Sequence, residues 1–356
     1  MDEKDFAFLK ELVETPSPSG FEQPAQRVLR RELEPVADEL RTDVMGNVIA
    51  RIAGGGEHAT RVMLAGHCDE IGLMVKYIDD GGYLYFAPIG GVDAHLVPGQ
   101  RVWVHTGAGP LLGVVGKKPI HLLEAKDREK VVRFKQQFID IGAADRAAAA
   151  ELVSVGDPVT FAVGLERLQG DHVTSRAFDD KMGAFIVAQV LKEVRRRGSA
   201  PVDLYGVSTV QEEIGLRGGI TSAYGVNPDV GIAVEVGFAT DFPDVDKKEV
   251  GDFKVGGGPL ITRGANINPV LFELLVATAR EEAIPCQISG APRATGTDAN
   301  AIQLSRGGVA AALISVPLRY MHTPVEVLSL GDLENTVRLL AGLLYRLGDR
   351  ESFIPR

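Results

Sequence analysis

The chain has 356 residues, 45% hydrophobic and 24% charged, which is ample for a buried core and ordinary for a globular protein. A net charge of −10 and a sequence pI of about 5.3 argue against nucleic acid or an anionic membrane surface as a partner. No apolar run reaches membrane-spanning length, Met1-Asp2-Glu3-Lys4-Asp5 is unlike a secretory signal, and Cys68 and Cys286 cannot form a disulfide framework, so a cytoplasmic protein is expected.

Phe6, Leu9, Leu12 and Val13 recur at helical spacing, and Pro16, Pro18 and Gly20 stop that helix. A second helix is predicted through Val28, Leu29 and Leu33. A hairpin around Met45-Gly46-Asn47 follows, with Val48 and Ile49 on the returning strand, and 53–57 is a glycine-rich turn. Residues 61–69 read as a buried central strand ending in polar residues. From about Gly72 to Val163 the character changes: short apolar-rich segments at 83–87, 101–105, 111–115 and 158–163 are separated by glycine and proline. That pattern predicts a small all-β barrel or sandwich, interrupted by one helical patch at 143–152.

Strands and helices then alternate: helix 183–197, strand 204–209, strand 230–236, helix 269–283, strand 309–316 and helix 330–347. Such alternation predicts an α/β domain with a mainly parallel central sheet and helices on both faces. Its two parts, 1–72 and 164–356, flank the β-rich insertion 73–163. No internal repeat or low-complexity segment is present.

Open α/β sheets bind ligands at the carboxyl ends of their strands. His67 and Asp69, two apart at a strand end, would project from one face. Asp179 and Asp180 precede a helix, Glu212 and Glu213 follow the strand 204–209, Glu235 ends a strand, and His322 follows another. Each residue has an ordinary reading when taken alone; an Asp before a helix, for example, is most often an N-cap. Together, two histidines and several carboxylates at one sheet edge suit zinc, cobalt or manganese, and the lack of thiolate pairs argues against a structural zinc site. Two metals sharing a bridging carboxylate could activate water for hydrolysis.

Five segments carry a family resemblance: Gly66-His67-Cys68-Asp69-Glu70-Ile71-Gly72, Arg176-Ala177-Phe178-Asp179-Asp180, Val210 to Gly218, Gly296-Thr297-Asp298-Ala299 and Pro317 to Pro324. In this order they resemble the glutamyl and deblocking aminopeptidases, dinuclear metallopeptidases that form tetrahedral (TET) particles. The resemblance spans nearly the whole chain. It implies two divalent metal ions, zinc or cobalt foremost and manganese also suited. His67 and Glu235 would hold one ion, Glu213 and His322 the other, and Asp179 would bridge them. It further implies that Asp69 orients His67 from behind, that the Asp179–Asp180 peptide is cis, and that Glu212 is the general base. Members usually carry Asp where this chain has Glu235, one methylene longer.

The resemblance makes the insertion a dimerisation domain and implies further assembly into dodecamers that enclose the active sites, so that substrates are short peptides. His95, His105 and His121 within it read as structural or surface residues. Arg293, in the loop before Gly296, is a candidate substrate-binding cation that would favour acidic N-terminal residues. Cys68 reads as a packed thiol. Gly116-Lys117-Lys118 falls short of a phosphate-binding loop, because Leu111 stands where its leading glycine belongs and no Ser or Thr follows Lys117. The competing readings are a metal amidase acting on N-acyl amino acids and a shell-forming scaffold with a vestigial site. A glycosidase would need two carboxylates flanking a sugar bond, and these carboxylates are committed to ligation.

Overall fold

Four parallel strands, in the order Asp203–Thr209, Arg61–His67, Val230–Phe238 and Ala310–Leu318, form the middle of an eight-stranded sheet. The computed structural model describes residues 1–54, 56, 59–198, 202–347 and 352–355. The predicted turn at 53–57 therefore lies partly outside the described residues. Arg61–His67 is buried at every position but the first, as expected of a parallel strand covered on both faces. Its even residues Val62 and Leu64 join the larger core, while Met63 and Ala65 face the smaller one.

The larger core packs the helices Glu3–Glu14, Gln23–Leu33, Phe178–Arg197, Pro269–Glu281 and Leu330–Leu347 against one face through residues such as Leu12, Leu29, Phe185, Leu271 and Leu340. The opposite face is covered by Arg217–Val226 and Asp298–Gln303, whose Ala223, Val226 and Ile302 meet Ile49, Met63 and Val207. The α/β architecture with helices on both faces is thus as predicted, though both flanks of the sheet are mixed. On one side Val48–Ile52 and Glu39–Thr42 add antiparallel to Asp203–Thr209. On the other, Leu260–Gly264 runs antiparallel to Ala310–Leu318 and parallel to Gln287–Ala291. Neither of these last two strands is evident in the sequence: Gln287–Ala291 alternates half-buried and exposed residues and contains a glycine, so it lacks an apolar run.

The β-rich segment closes into a six-stranded barrel of Gly72–Ile78, Leu84–Ile89, Gln137–Asp140, Gly109–Lys117, Arg101–Thr106 and Pro158–Phe161. It has its own core, with Leu73, Val75, Phe86, Val102, Ile139 and Val159 inside. Closure removes the open edges that a small sheet would otherwise expose. Two of these strands escape sequence reading. Gly72–Ile78 shifts register between Val75 and Tyr77, which breaks its alternation, and Gln137–Asp140 has only four residues.

The chain returns from the barrel through a three-stranded sheet of Glu166–Arg167, His172–Ser175 and Glu326–Ser329. Its register sets Ser175 opposite Glu326, which brings the Arg176–Asp180 segment beside the C-terminal part of the chain. The helix Phe178–Arg197 begins earlier than the predicted 183, but Asp179 and Asp180 have non-helical backbone and the peptide between them is cis. Among the described residues, no helix is long and apolar enough to cross a membrane.

Candidate active site

Register brings the predicted residues to one end of the sheet. His67, the last residue of its strand, is level with Thr209, so the segment carrying Glu212 and Glu213 emerges beside it. Ala65 pairs with Ala233, which places Glu235, two residues on, level with His67 from the other side. Asp179 reaches the same point because its helix lies almost on the strands. A Cβ on Gly183 would sit 2.3 Å from the carbonyl oxygen of Val234, and one on Gly66 would sit 2.4 Å from the Gly183 carbonyl carbon. Glycine at both positions permits that approach.

The two carboxylate oxygens of Asp179 face different histidines: Oδ1 lies 3.3 Å from His67 Nε2 and Oδ2 lies 3.2 Å from His322 Nε2. Glu235 Oε2 and Glu212 Oε2 lie 3.6 and 3.7 Å from His67 Nε2, and Glu213 Oε1 is 3.5 Å from His322 Nε2. Donor atoms of His67, Glu212 and Glu235 fall within 4.8 Å of one another, as do those of His67, Asp179 and Glu213. The structure therefore brings together all five sequence-predicted ligands and Glu212.

Behind this cluster lies a layer of residues that orients it. His67 Nδ1 is 3.0 Å from the main-chain carbonyl oxygen of Asp69 and 3.5 Å from its carboxylate. The Asp69 carboxylate instead accepts from the amides of Glu212 and Glu213, at 3.0 and 3.2 Å, and from the Ser19 hydroxyl at 2.7 Å. Asp69 thus fixes both His67 and the Glu212-Glu213 turn. Asp180 is buried and accepts from the His67 and Gly183 amides, at 3.1 and 3.2 Å.

Three further residues belong to this layer; Asp298 lies in one of the segments that carry the resemblance, while Glu326 and Gly91 lie in none. Glu326 is buried and accepts from the His322 amide at 3.1 Å and the Asp179 amide at 3.2 Å, so one carboxylate ties two predicted ligands together. Asp298 donates its amide to Glu235 Oε1 at 3.1 Å and accepts from the Thr209 hydroxyl at 2.6 Å. Gly91, in the segment after the barrel strand Leu84–Ile89, places its carbonyl oxygen 3.1 Å from His322 Nδ1. Periodicity marks none of them, since each makes at least one of these bonds to a residue remote in sequence.

Ala177, Gln211, Leu216, Tyr320 and His322 all adopt left-handed backbone around this site although none is glycine. Such conformations cost of order 1–3 kcal/mol each and persist where surrounding structure imposes them, which is common at functional sites.

Electrostatically the cluster is unbalanced. Burial pushes the carboxyl groups of Glu212 and Glu213 up to about 7 and about 8, with neighbouring carboxylates adding to the shift. Burial likewise drives Glu235 well above the usual range. Burial alone would lower His67, but Glu212, Asp179 and Asp69 raise it well above the ordinary imidazole value. The hydrogen bond to Asp179 raises His322 to about 9. Asp179 is desolvated too, yet the two histidines hold it below the carboxylate range. Crowded buried carboxylates are relieved by a cation, and Glu213 Oε1 is a buried acceptor without a hydrogen-bond partner. Imidazole and carboxylate oxygen are the donors that zinc, cobalt and manganese take. The residues fit a divalent metal.

The cluster lines a cleft of about 650 Å³. Arg293 is exposed and does not line this cleft. Cys68 is buried, with its thiol pushed up by desolvation, as a packed residue. His95 and His121 are exposed, while His105 is half-buried against the Thr160 hydroxyl at 2.8 Å.

A histidine–carboxylate cage at the carboxyl edge of this sheet, opening into a peptide-sized cleft, is the architecture of a metal-dependent hydrolase. The comparisons specify which. The M42 glutamyl aminopeptidase family profile matches residues 46–339, and the chain belongs to that family. It is 39% identical to the lysyl aminopeptidase of Pyrococcus furiosus over 346 residues, covering 96% of this chain and 97% of that one. Its fold is similar to the TET aminopeptidase of a marine-sediment Thaumarchaeota archaeon, with a TM-score of 0.92, 37% identity, and 97% and 96% of the two chains covered. It is also similar to the TET1 peptidase of Pyrococcus horikoshii, which can assemble into a tetrahedron or a large octahedral shell, with a TM-score of 0.84, 32% identity, and 96% and 99% covered. The protein is a peptide hydrolase of the aminopeptidase class.

Proposed function

We propose that this chain removes N-terminal residues from short peptides by a dinuclear metal mechanism. The observation that carries the reading is Asp179, whose two oxygens face His67 and His322 at nearly equal distance. His67 and Glu235 would hold one divalent ion and Glu213 and His322 the second, with Asp179 available to both. Zinc and cobalt suit the donors best and manganese is compatible. When bound, such ions would supply a Lewis acid for the scissile carbonyl and lower the pKa of the attacking water. Glu212, held at the cleft wall by the bond from its amide to Asp69, accepts the proton of the attacking water and delivers it to the leaving amine. Asp69 is a positioning residue for both His67 and Glu212.

The barrel insertion 73–163 serves as the dimerisation domain in this reading. Trp103 and Leu112 form a cross-strand pair on its outer face, and both are exposed together with nearby Val114. Dimers of this kind are proposed to build a dodecamer that restricts access to short peptides, in keeping with the shells of the Pyrococcus horikoshii relative.

Replacing Glu212 with Gln keeps size and one acceptor while removing the proton-transfer function. Glu212→Gln is expected to retain metal and fold while kcat falls by about 10²–10⁴-fold. Near-normal kcat on aminoacyl-p-nitroanilides would exclude Glu212 as the base. On the same panel, free-amine substrates should be cleaved in a metal-dependent manner and N-acetylated ones should not; the reverse pattern would mean a deacylase.

A further inference from the structure

The lining of the cleft is of two chemical kinds. Among the described residues, every charged side chain that lines it belongs to the histidine–carboxylate cluster. The apolar part of the lining includes Val236, Val250, Phe253, Leu260 and Leu313, from three strands of the sheet and the segment 250–253. The remaining polar side chains are neutral hydroxyls such as Thr262 and Ser289.

Among the described residues, no lysine or arginine lines the cleft. Arg319 is engaged by both carboxylate oxygens of Asp241, at 2.8 and 2.6 Å. Arg293 is exposed and away from the lining. Among the described residues, no carboxylate outside the cluster lines the cleft either. A substrate whose reacting carbonyl lies at the cluster would set its N-terminal side chain against this apolar lining. A lysine ammonium or glutamate carboxylate placed there would give up hydration without gaining a partner, whereas an aliphatic or aromatic side chain would bury apolar surface.

Building on the metallo-aminopeptidase reading, we infer that this chain selects neutral, apolar N-terminal residues, such as leucine, methionine and phenylalanine, and discriminates against both lysine and glutamate. The specificity determinants are Val250, Phe253, Leu260 and Leu313. This preference departs from the lysyl activity of its Pyrococcus furiosus relative and from the glutamyl activity in the family description. A site that gives a charged group no partner discriminates strongly, so leucyl substrates should exceed lysyl and glutamyl ones by about 100-fold or more in kcat/KM.

Binding and turnover test the two layers separately. Metal-loaded Glu212→Gln protein is titrated by calorimetry with L-leucinamide, L-lysinamide and L-glutamic acid α-amide, while the unaltered enzyme is assayed on the matching p-nitroanilides. Tightest binding of leucinamide supports the inference. Tighter binding of either charged amide, or binding of none, overturns it whatever the turnover shows. Silence on all p-nitroanilides with leucinamide still bound most tightly would defeat the aminopeptidase reading and leave the apolar pocket standing. Ser289→Glu sets a carboxylate in the cleft lining and should raise the lysyl-to-leucyl ratio by about 10-fold or more. Val250→Glu, at a rim position that is 43% exposed and tolerant of charge, repeats that test. An unchanged ratio in both folded variants would remove this lining from substrate recognition.

Discussion

His67 and Glu235 stand on adjoining central strands and are exposed by only 1% and 3%, whereas Glu213 and His322 come from connecting segments and the His322 side chain keeps 35% of its surface in solvent. The inner half of the proposed centre is preformed by sheet register. The outer half is assembled from remote parts: Glu326 holds the His322 amide, and Gly91 of the barrel insertion accepts from its ring. Sites on rigid strands hold geometry more tightly than sites on loops. The inserted barrel therefore also helps complete the site, and the two ions should differ in retention.

The strongest way to break this asymmetry is to remove one histidine from each half. Losing an outer hydrogen-bond partner typically costs about 10–100-fold in metal affinity, and losing a ligand should cost more. His67→Ala should therefore lower kcat/KM by more than about 100-fold and release the inner ion. His322→Ala should release the outer ion and retain the inner one. Metal content after dialysis against graded chelator checks both. If the two ions leave the unaltered protein at the same chelator concentration, the asymmetry is absent.

The inner half rests on a buried ion cluster. Glu70, next to Asp69, pairs with Arg176 and with Lys181, the latter at 2.8 Å, and the three side chains are exposed by 3%, 6% and 0%. The cluster clamps the end of the His67 strand to the start of the Asp179 helix. Removing the one carboxylate would strand two buried cations, so Glu70→Ala should cost about 3–5 kcal/mol in urea unfolding. Burial would raise the Glu70 carboxyl, but Arg176 and Lys181 hold it at about 2 against an ordinary value of 4.5. A depressed folded pKa means the unfolded state binds the proton more readily. The stabilisation is complete above about pH 4.5 and is lost as pH falls toward 2. The stability gap between the metal-free unaltered protein and Glu70→Gln should shrink across that window; a gap unchanged down to pH 2.5 would contradict the assignment.

A smaller perturbation reaches the outer half through the barrel. A Cβ on Gly91 would lie 2.7 Å from His322 Nδ1. Gly91→Ala should push the imidazole out of line and weaken the outer ion by about 10-fold, with the inner ion unaffected. Equal weakening of both ions would mean that the barrel acts on the site as a whole.

This division also marks how far the sequence could be read. His67 and Asp69 were legible because strand alternation puts residues two apart on one face, and Glu212, Glu213 and Glu235 because polar residues interrupt buried strands at their ends. The barrel was legible as a β-rich insertion, but Gly72–Ile78 was hidden by its register shift. Glu326 and Gly91 were not legible, for their roles are hydrogen bonds to residues 147 and 231 positions away. The left-handed backbone at Gln211, Leu216 and His322 was equally silent, since no glycine marks it. Contacts that depend on tertiary closure leave no local period.

Glu235 is the position where the inner half can be tuned most finely. Its carboxylate divides its work: Oε1 accepts the Asp298 amide at 3.1 Å, and Oε2 faces His67 Nε2 at 3.6 Å. Oε2 is therefore the oxygen without this amide bond, and the glutamate would offer it first to an ion. The same division locks the ligand in place, because the Asp298 amide opens the helix Asp298–Gln303, packed on the sheet. Aspartate lacks one methylene and cannot span both partners without movement of the strand. Glu235→Asp must give up the amide contact or retreat from the ion. The first outcome costs about 1 kcal/mol of stability, as for an ordinary internal hydrogen bond, with metal affinity nearly preserved. The second leaves stability intact and weakens the inner ion by a few-fold. Unfolding and metal titration of the one variant distinguish these outcomes. A loss above about 100-fold in inner-ion affinity would show that Glu235 contributes more than one oxygen to it.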